Sequence, residues 1–488
     1  MENRDKEGRR GRRGLWLVLV ALAVALAAVA AGCGGGGGET TEAAPPPAET
    51  GGGAETGGAA AGSPIKIGIV SDCGGDFAAY HEFDLGGAYY ALVKRGATPI
   101  NPQKPTDGIE NLPSIGGHPI QITGIGCADS TPDKAIQETR RLVEQLGSDI
   151  QVGPLSGDEG IAIANYAKEH PDKTFVNGTS GAQDTTLKVQ APNLFRFNGD
   201  GAQWSAGLGN YAYTTLGWRT AAIIGDDYSF PYTSLAGFVA EFCALGGQVT
   251  QRIWPPIGTT DYSSYITQLP DDVDGTVVGV GGAGLIAFIK QYVQQKGALD
   301  PKKFMGNVFW PDPLVLKEVG DKLVGGTYAT STAGDSTDPG PQAFIKAIDS
   351  TWPGIAGAAP SIFTYNYYNN MEAVLEALEA VNGDLSNNHT AFNQALTDIG
   401  KNGLDAAWGK IVLDQNRQAI ADNFVGQVVT LPDGSVGVKT ILKVPNVEES
   451  FGGYFTPDTP SVDRTNPVCA PGTPPPWVGK EEPVNYGG

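Results

Sequence analysis

Ile65-Lys66-Ile67-Gly68-Ile69-Val70 is a short apolar run rich in β-branched residues, the pattern of a buried strand. A glycine loop, Cys73-Gly74-Gly75, and a helical stretch from Phe83 to Arg95 follow it. The unit then repeats. A strand from His118 to Gly126 leads to Thr131 as an N-cap, Pro132 at the first helical position and an amphipathic helix through Leu146 that ends at Gly147. Ile150-Gln151-Val152 pairs with a helix from Asp158 to Glu169, and Thr174 to Asn177 reads as a fourth strand.

A second series starts after Leu194-Phe195-Arg196-Phe197. It runs helix Trp204 to Leu216, strand Thr220 to Ile224, helix Ser234 to Leu245, strand Gln248 to Trp254 and strand Gly275 to Val280. It continues with helix Leu285 to Gln295 and strands Phe304 to Phe309 and Gly326 to Thr330. Helices from Ala343 to Ser350, Thr364 to Val381 and Thr390 to Ile399 come next, then strands from Asn423 to Thr430 and Val436 to Lys443. Strands alternating with helices of this length predict parallel strands joined by crossovers, so the fold class is α/β, two doubly wound Rossmann-like lobes in series. Ligands of such sheets bind at the carboxyl ends of the strands. Here those ends carry Ser71 to Tyr80, Cys127 to Ser130, Pro154 to Asp158 and Asn177 to Gly181.

Residues 1–32 carry a basic stretch, an apolar span from Leu15 to Ala31 and the small residues Ala30-Ala31-Gly32 before Cys33, the layout of a signal peptide. The last of these resembles a bacterial lipobox, with Ala30 where Leu or Val is usual, which implies a lipidated Cys33. The apolar span is also long enough for an uncleaved membrane helix. Arg12-Arg13 resembles a twin-arginine signal, so the export route is open. Residues 33–63 are Gly, Ala, Glu, Thr and Pro, too poor in apolar surface to fold, and read as a flexible tether.

The 488 residues are 41% hydrophobic, enough for a large core. A formal net charge of -20 argues against nucleic acid and anionic membrane surfaces as partners. Cys73, Cys127, Cys243 and Cys469 are an even number in an exported chain, which predicts two disulfides in one of three pairings. No C-x-x-C occurs and His81, His118, His170 and His389 are scattered, so no metal site is predicted. Gly279-Val280-Gly281-Gly282-Ala283-Gly284 fits G-x-G-x-x-G and keeps a nucleotide-cofactor enzyme as an alternative. It sits in the middle of the second series, and the next strand ends without an acid for a ribose, so close packing is the preferred use. With no nucleophile elbow and no P-loop, the chain is read as a non-enzyme without cofactor or catalytic residues.

The order of elements resembles the type I periplasmic binding fold, in particular the branched-chain amino acid (leucine-isoleucine-valine) binding proteins of ABC importers, over residues 64–445. The motifs that carry it are Ile67-Gly68-Ile69-Val70 leading to Gly75-Asp76-Phe77-Ala78-Ala79-Tyr80, then Gly86-Gly87-Ala88, Asp133-Lys134-Ala135, Gly153-Pro154-Leu155-Ser156-Gly157, Ala222 to Asp227 and Phe304-Met305-Gly306.

The resemblance implies three hinge crossovers, near Asn198 to Asp200, Thr332 to Asp338 and Gly409 to Asn416. Lobe one is then 64–198 plus 334–410, lobe two 199–333 plus 411–445, and 446–488 a Pro-rich tail. It implies ligand contacts from Tyr80, Ser156, Thr179, Ser180, Phe230 and Trp310, and disulfides Cys73–Cys127 and Cys243–Cys469. Amino acid binders place a carboxylate within the segment that here reads Asn307-Val308-Phe309-Trp310; this chain has none there, and Asp312 is the nearest substitute.

The function implied is that of a monomeric extracytoplasmic receptor, anchored to the outer face of the cell membrane through lipid alone. It would bind a small organic solute, an amino acid or a related compound, and hand it to an ABC permease. A sensing or scavenging ectodomain without a transporter is the alternative.

Overall fold

The computed structural model describes residues 62–355 and 361–486; the signal segment, Cys33 and most of the tether lie outside this range. In the first sheet the strand Ile65–Asp72 lies between His118–Ala128 and Ile150–Val152, and Thr174–Val176 and Leu194–Phe195 extend it, all in parallel. Ile65, Ile67, Ile69 and Val70 are all buried, because helices cover both faces of a parallel sheet. The chain then leaves this sheet. Gln248–Ile253, Thr220–Gly225, Gly275–Gly279, Phe304–Gly306 and Thr327–Thr330 form a second parallel set, closed by the antiparallel strands Ala419–Thr430 and Val436–Val447.

Between the two sets the helices Pro339–Thr351, Ile362–Ala380 and Ser386–Asn402 return to the first lobe. There Phe344, Trp352, Tyr367 and Met371 share a core with Ile67 and Ile69. The chain therefore passes between the lobes three times, and parallel bridging of Arg196 to Gln418 ties the first passage to the third.

Several elements differ from the sequence reading, among them the helices Ser263–Gln268 and Pro313–Leu323 and the strand Gly409–Leu413, which it did not include; three further differences have a clear local reason. The stretch expected as one helix from Trp204 to Leu216 is two, Gly201–Trp204 and Leu208–Thr214. They part at Gly207, which adopts φ 94. The Glu241 carboxylate holds the break by accepting from the N–H groups of Gly207, Gly209 and Asn210. The helix expected from Ser234 begins at Ser229, since Pro231 sits in its first turn, where a missing N–H leaves no bond unmade. The strand expected through Phe309 stops at Gly306, and Asn307 turns the chain by accepting from Phe309 and Trp310 N–H.

The structure pairs Cys73 with Cys127 and Cys243 with Cys469, at Cα separations of 5.1 and 5.3 Å. The second pair fastens the tail, whose Phe451, Phe455 and Trp477 are buried against Phe238 and Phe242. The tail also reaches the first lobe: the Lys188 ammonium donates to the carbonyls of Thr456 and Pro457, both at 2.9 Å, and Glu449 pairs with fully buried Arg196 at 3.4 Å. Replacing both Cys243 and Cys469 by Ser should lower unfolding stability by about 2–4 kcal/mol. Denaturant midpoints without reductant measure this, and an unchanged midpoint would show that the tail is held without the cross-link.

Candidate functional site

A small cavity lies between the lobes at the carboxyl ends of both parallel sheets. The first lobe supplies Phe77, Leu155, Ser156, Thr179, Ile362 and Phe363; the second supplies Trp204, Tyr228, Phe230, Val308 and Phe309. Phe309 organises the walls. It stacks on Phe77 with centroids 5.8 Å apart and meets Phe230 edge-on at 5.9 Å and Phe363 at 5.6 Å. Trp204 stands 6.0 Å from Phe230. Offset and edge-on pairs of this kind hold aromatic walls in fixed orientation.

No charged side chain lines the cavity. Its polar groups are few and free: Ser156 Oγ and Trp204 Nε1 are buried without a partner, while Thr179 Oγ1 donates weakly to the Phe363 carbonyl at 3.5 Å. Ser156 is the N-cap of the helix Gly157–Glu169, and its N–H donates to Glu159 at 3.2 Å. The first-turn N–H groups of that helix begin at the cavity wall, a place suited to a negative or accepting group.

Behind the walls lie buried carboxyls. Burial lifts Asp72 to about 6 and Glu159 well above its ordinary range, the Asp72 charge adding to the latter. In the second lobe burial lifts Asp226 to about 8; it accepts from Gly281 N–H at 2.9 Å and lies 3.4 Å from the Tyr262 hydroxyl. The glycine-rich turn thus presents its N–H to a side chain of the same lobe. A Cβ at Gly281 would stand 2.5 Å from the Phe309 ring, so the glycine is what allows Phe309 to close on the turn.

Of the six residues the sequence singled out, Ser156, Thr179 and Phe230 line the cavity. Tyr80, Ser180 and Trp310 stand behind it. Tyr80 is buried with its ring 4.1 Å from that of Phe363. Ser180 is fully buried against the helix Gly157–Glu169, where a Cβ at Gly160 would meet Ser180 Oγ. Trp310 folds back over the backbone of Gly306 and Gly326. Asp312, the nearest acid to the turn, is spent elsewhere: it caps the helix Pro313–Leu323 through Leu314 N–H at 3.0 Å and accepts from Ser361 Oγ at 2.7 Å. Burial raises it to about 6.

Sequence reasoning missed Phe77, Trp204 and Phe363 as wall residues. Phe77 had a partial signal, since it lies in the segment Ser71 to Tyr80 at the carboxyl end of the first strand. Phe363 had none, because it reaches the cavity from a helix far along the chain.

No curated protein matches the chain. Among solved structures it is similar to an ABC transporter substrate-binding protein from Sphaerobacter thermophilus, with 23% identity and TM-score 0.66 over 79% of this chain and 99% of that one. A solute-binding protein of an ABC transporter from R. palustris in complex with benzoate gives 19%, 0.66, 77% and 95% in the same order. A leucine-binding protein from Thermotoga maritima gives 18%, 0.63, 77% and 97%. At these identities the likeness establishes the two-lobed fold, which the neighbours use for binding rather than catalysis. The family model described as periplasmic binding protein matches residues 64–435, three quarters of the chain, and the protein belongs to that family.

Proposed function

We propose that this protein captures a single-ring aromatic solute outside the cytoplasm and delivers it to the permease of an ABC importer. The observation that carries the reading is the cavity wall, aromatic from both lobes and free of charged side chains. An aromatic ring gains area and ring-to-ring contact there, whereas an ammonium group would be desolvated without a counter-charge. That weighs against a plain amino acid, although one structural neighbour is a leucine-binding protein, and for the chemistry of the neighbour solved with benzoate.

A carboxylate or phenolic head group would meet Ser156 Oγ, Trp204 Nε1 and the start of the helix Gly157–Glu169. Ser156 and Thr179 hold the solute on the first lobe, and closure about the three crossings covers it with Phe230 and Phe309. Tyr80, Ser180 and Trp310 support these walls. The lipidated Cys33 keeps the receptor, as a monomer, at the outer face of the membrane. No helix among the described residues is long and apolar enough to cross a membrane.

Thermal unfolding of residues 64–488 with benzoate, 4-hydroxybenzoate and leucine tests the reading. The aromatic acids should raise the midpoint at millimolar concentration and leucine should not. A midpoint raised by leucine alone would overturn the aromatic assignment.

A further inference from the structure

The C-terminal tail lies beyond residues 64–435, the stretch that matches the periplasmic binding family, so the family's two lobes do not account for it. Three attachments fix it to the second lobe. Cys469 is bonded to Cys243, and Phe451, Phe455 and Trp477 share a core with Phe238 and Phe242. Just past the carboxyl end of the strand Thr220–Gly225, Arg464 Nε donates to Asp227 at 2.7 Å, and the Arg464 carbonyl accepts from Trp254 Nε1 at 3.0 Å.

Between these attachments the tail grips the first lobe. Thr456 to Thr459 is a loop closed on itself: Thr456 N–H donates to Thr459 Oγ1 at 3.0 Å, and Thr459 N–H donates to Thr456 Oγ1 at 3.2 Å. The loop turns the carbonyls of Thr456, Pro457 and Thr459 toward one point, where Lys188 Nζ donates to all three. An ammonium has three N–H groups, so its set of partners is complete. Hydrogen bonds from a charged donor are roughly twice as strong as neutral ones.

Lys188 moves with the cavity wall. Thr179 and Gly181 line the aromatic cavity, Gln183 N–H donates across to Thr233 of the second lobe at 3.2 Å, and the helix Asp184–Leu187 leads directly into Lys188. Parting the lobes carries Lys188 away with the first, whereas the tail loop stays with the second, to which it is cross-linked. The three bonds are made with the lobes together and are stretched as they part. Glu449 differs, because it meets Arg196 at the crossings themselves, where rotation displaces little.

We propose that residues 446–488 form a strap running from the second lobe to the first beside the cleft, and that Lys188 is the positioning residue through which the strap favours the closed form. The strap acts with or without solute, and by holding the lobes together it lengthens the time for which a captured solute is retained.

Double electron–electron resonance on solute-free residues 64–488 tests this without any assumption about the solute. The four cysteines of this stretch are all paired, so Asp133→Cys on the first lobe and Thr260→Cys on the second, both exposed, supply the two spin labels. Lys188→Met keeps the aliphatic stem and removes the three donors; the ratio of long to short distances should rise about tenfold over the labelled parent. Lys290→Met, which breaks the exposed pair with Glu318 inside the second lobe, should leave the distribution unchanged. An unchanged distribution in a Lys188→Met protein that unfolds cooperatively, or a shift to shorter distances, overturns the proposal. Equal opening in Lys290→Met overturns it too, since opening would then be a general response to a lost charge. Should Lys188→Met fail to fold, exposed Arg464→Ala, which frees the loop from Asp227, is read by the same criteria with the same direction expected.

Discussion

Trp310→Ala is expected to lower unfolding stability by about 3–5 kcal/mol, the range for truncating a large buried aromatic. The ring is 1% exposed and shares a core with Val278, Val315, Val319 and Leu323. The void would persist because its floor is glycine backbone: Gly306 and Gly326 have no side chains to swing in, and a Cβ at either would stand 2.0 or 2.4 Å from the present ring. Denaturant unfolding without ligand measures the effect, with an unchanged dependence on denaturant expected if only the native state is affected. A variant of wild-type stability that had lost solute binding would return Trp310 to the cavity as a ligand contact.

Trp310 also shows where sequence reading reaches its limit. An apolar run such as Phe304-Met305-Gly306 announces a strand, because burial on both faces needs nothing beyond local composition. The point at which the chain leaves that strand depends on one side chain, Asn307, whose Oδ1 accepts from Phe309 N–H at 3.2 Å. Moving the turn by three residues takes the indole from the cleft rim to the core. Ser156 and Thr179 were legible for the opposite reason: both follow short buried strands in parallel units, where the carboxyl-end rule fixes their location without side-chain detail. Trp204, Phe363 and Glu449 gave no such sign. Each acquires its role from a partner remote in sequence, as Glu449 does from Arg196, and periodicity carries no record of that pairing. The position of Asp312 could be read, but not its engagement with Ser361, so its availability to an ammonium group was a matter for the structure.

The protein should be markedly more stable at pH 5 than at pH 8.5. Burial lifts Asp72 and Asp312 to about 6, Glu241 to about 7 and Asp226 to about 8, against 3.8 or 4.5 in the unfolded chain. A carboxyl whose folded value is raised binds its proton more tightly in the native state, so its contribution is fully present below the unfolded value and is lost as pH rises through the folded one. For these groups the loss runs from about pH 4 to pH 8. A rise from 3.8 to about 8 at Asp226 alone corresponds to on the order of 5 kcal/mol. On the acid side the opposite group acts: backbone and side-chain bonds hold Asp463 at about 2, so stability falls again as pH drops below about 4.

Asp226→Asn separates this account from a general effect of net charge. An asparagine can still accept from Gly281 N–H and can donate to the Tyr262 oxygen, but it has no proton to lose beside Asp76, whose charge further opposes ionisation of Asp226. The variant should match the wild type near pH 5, exceed it at pH 8.5 and show a shallower profile between. A thermal midpoint that rises from pH 5 to pH 8.5 in the wild type, or a variant profile parallel to it, would mean that Asp226 is ionised in the folded protein and is compensated by a partner other than those it faces here.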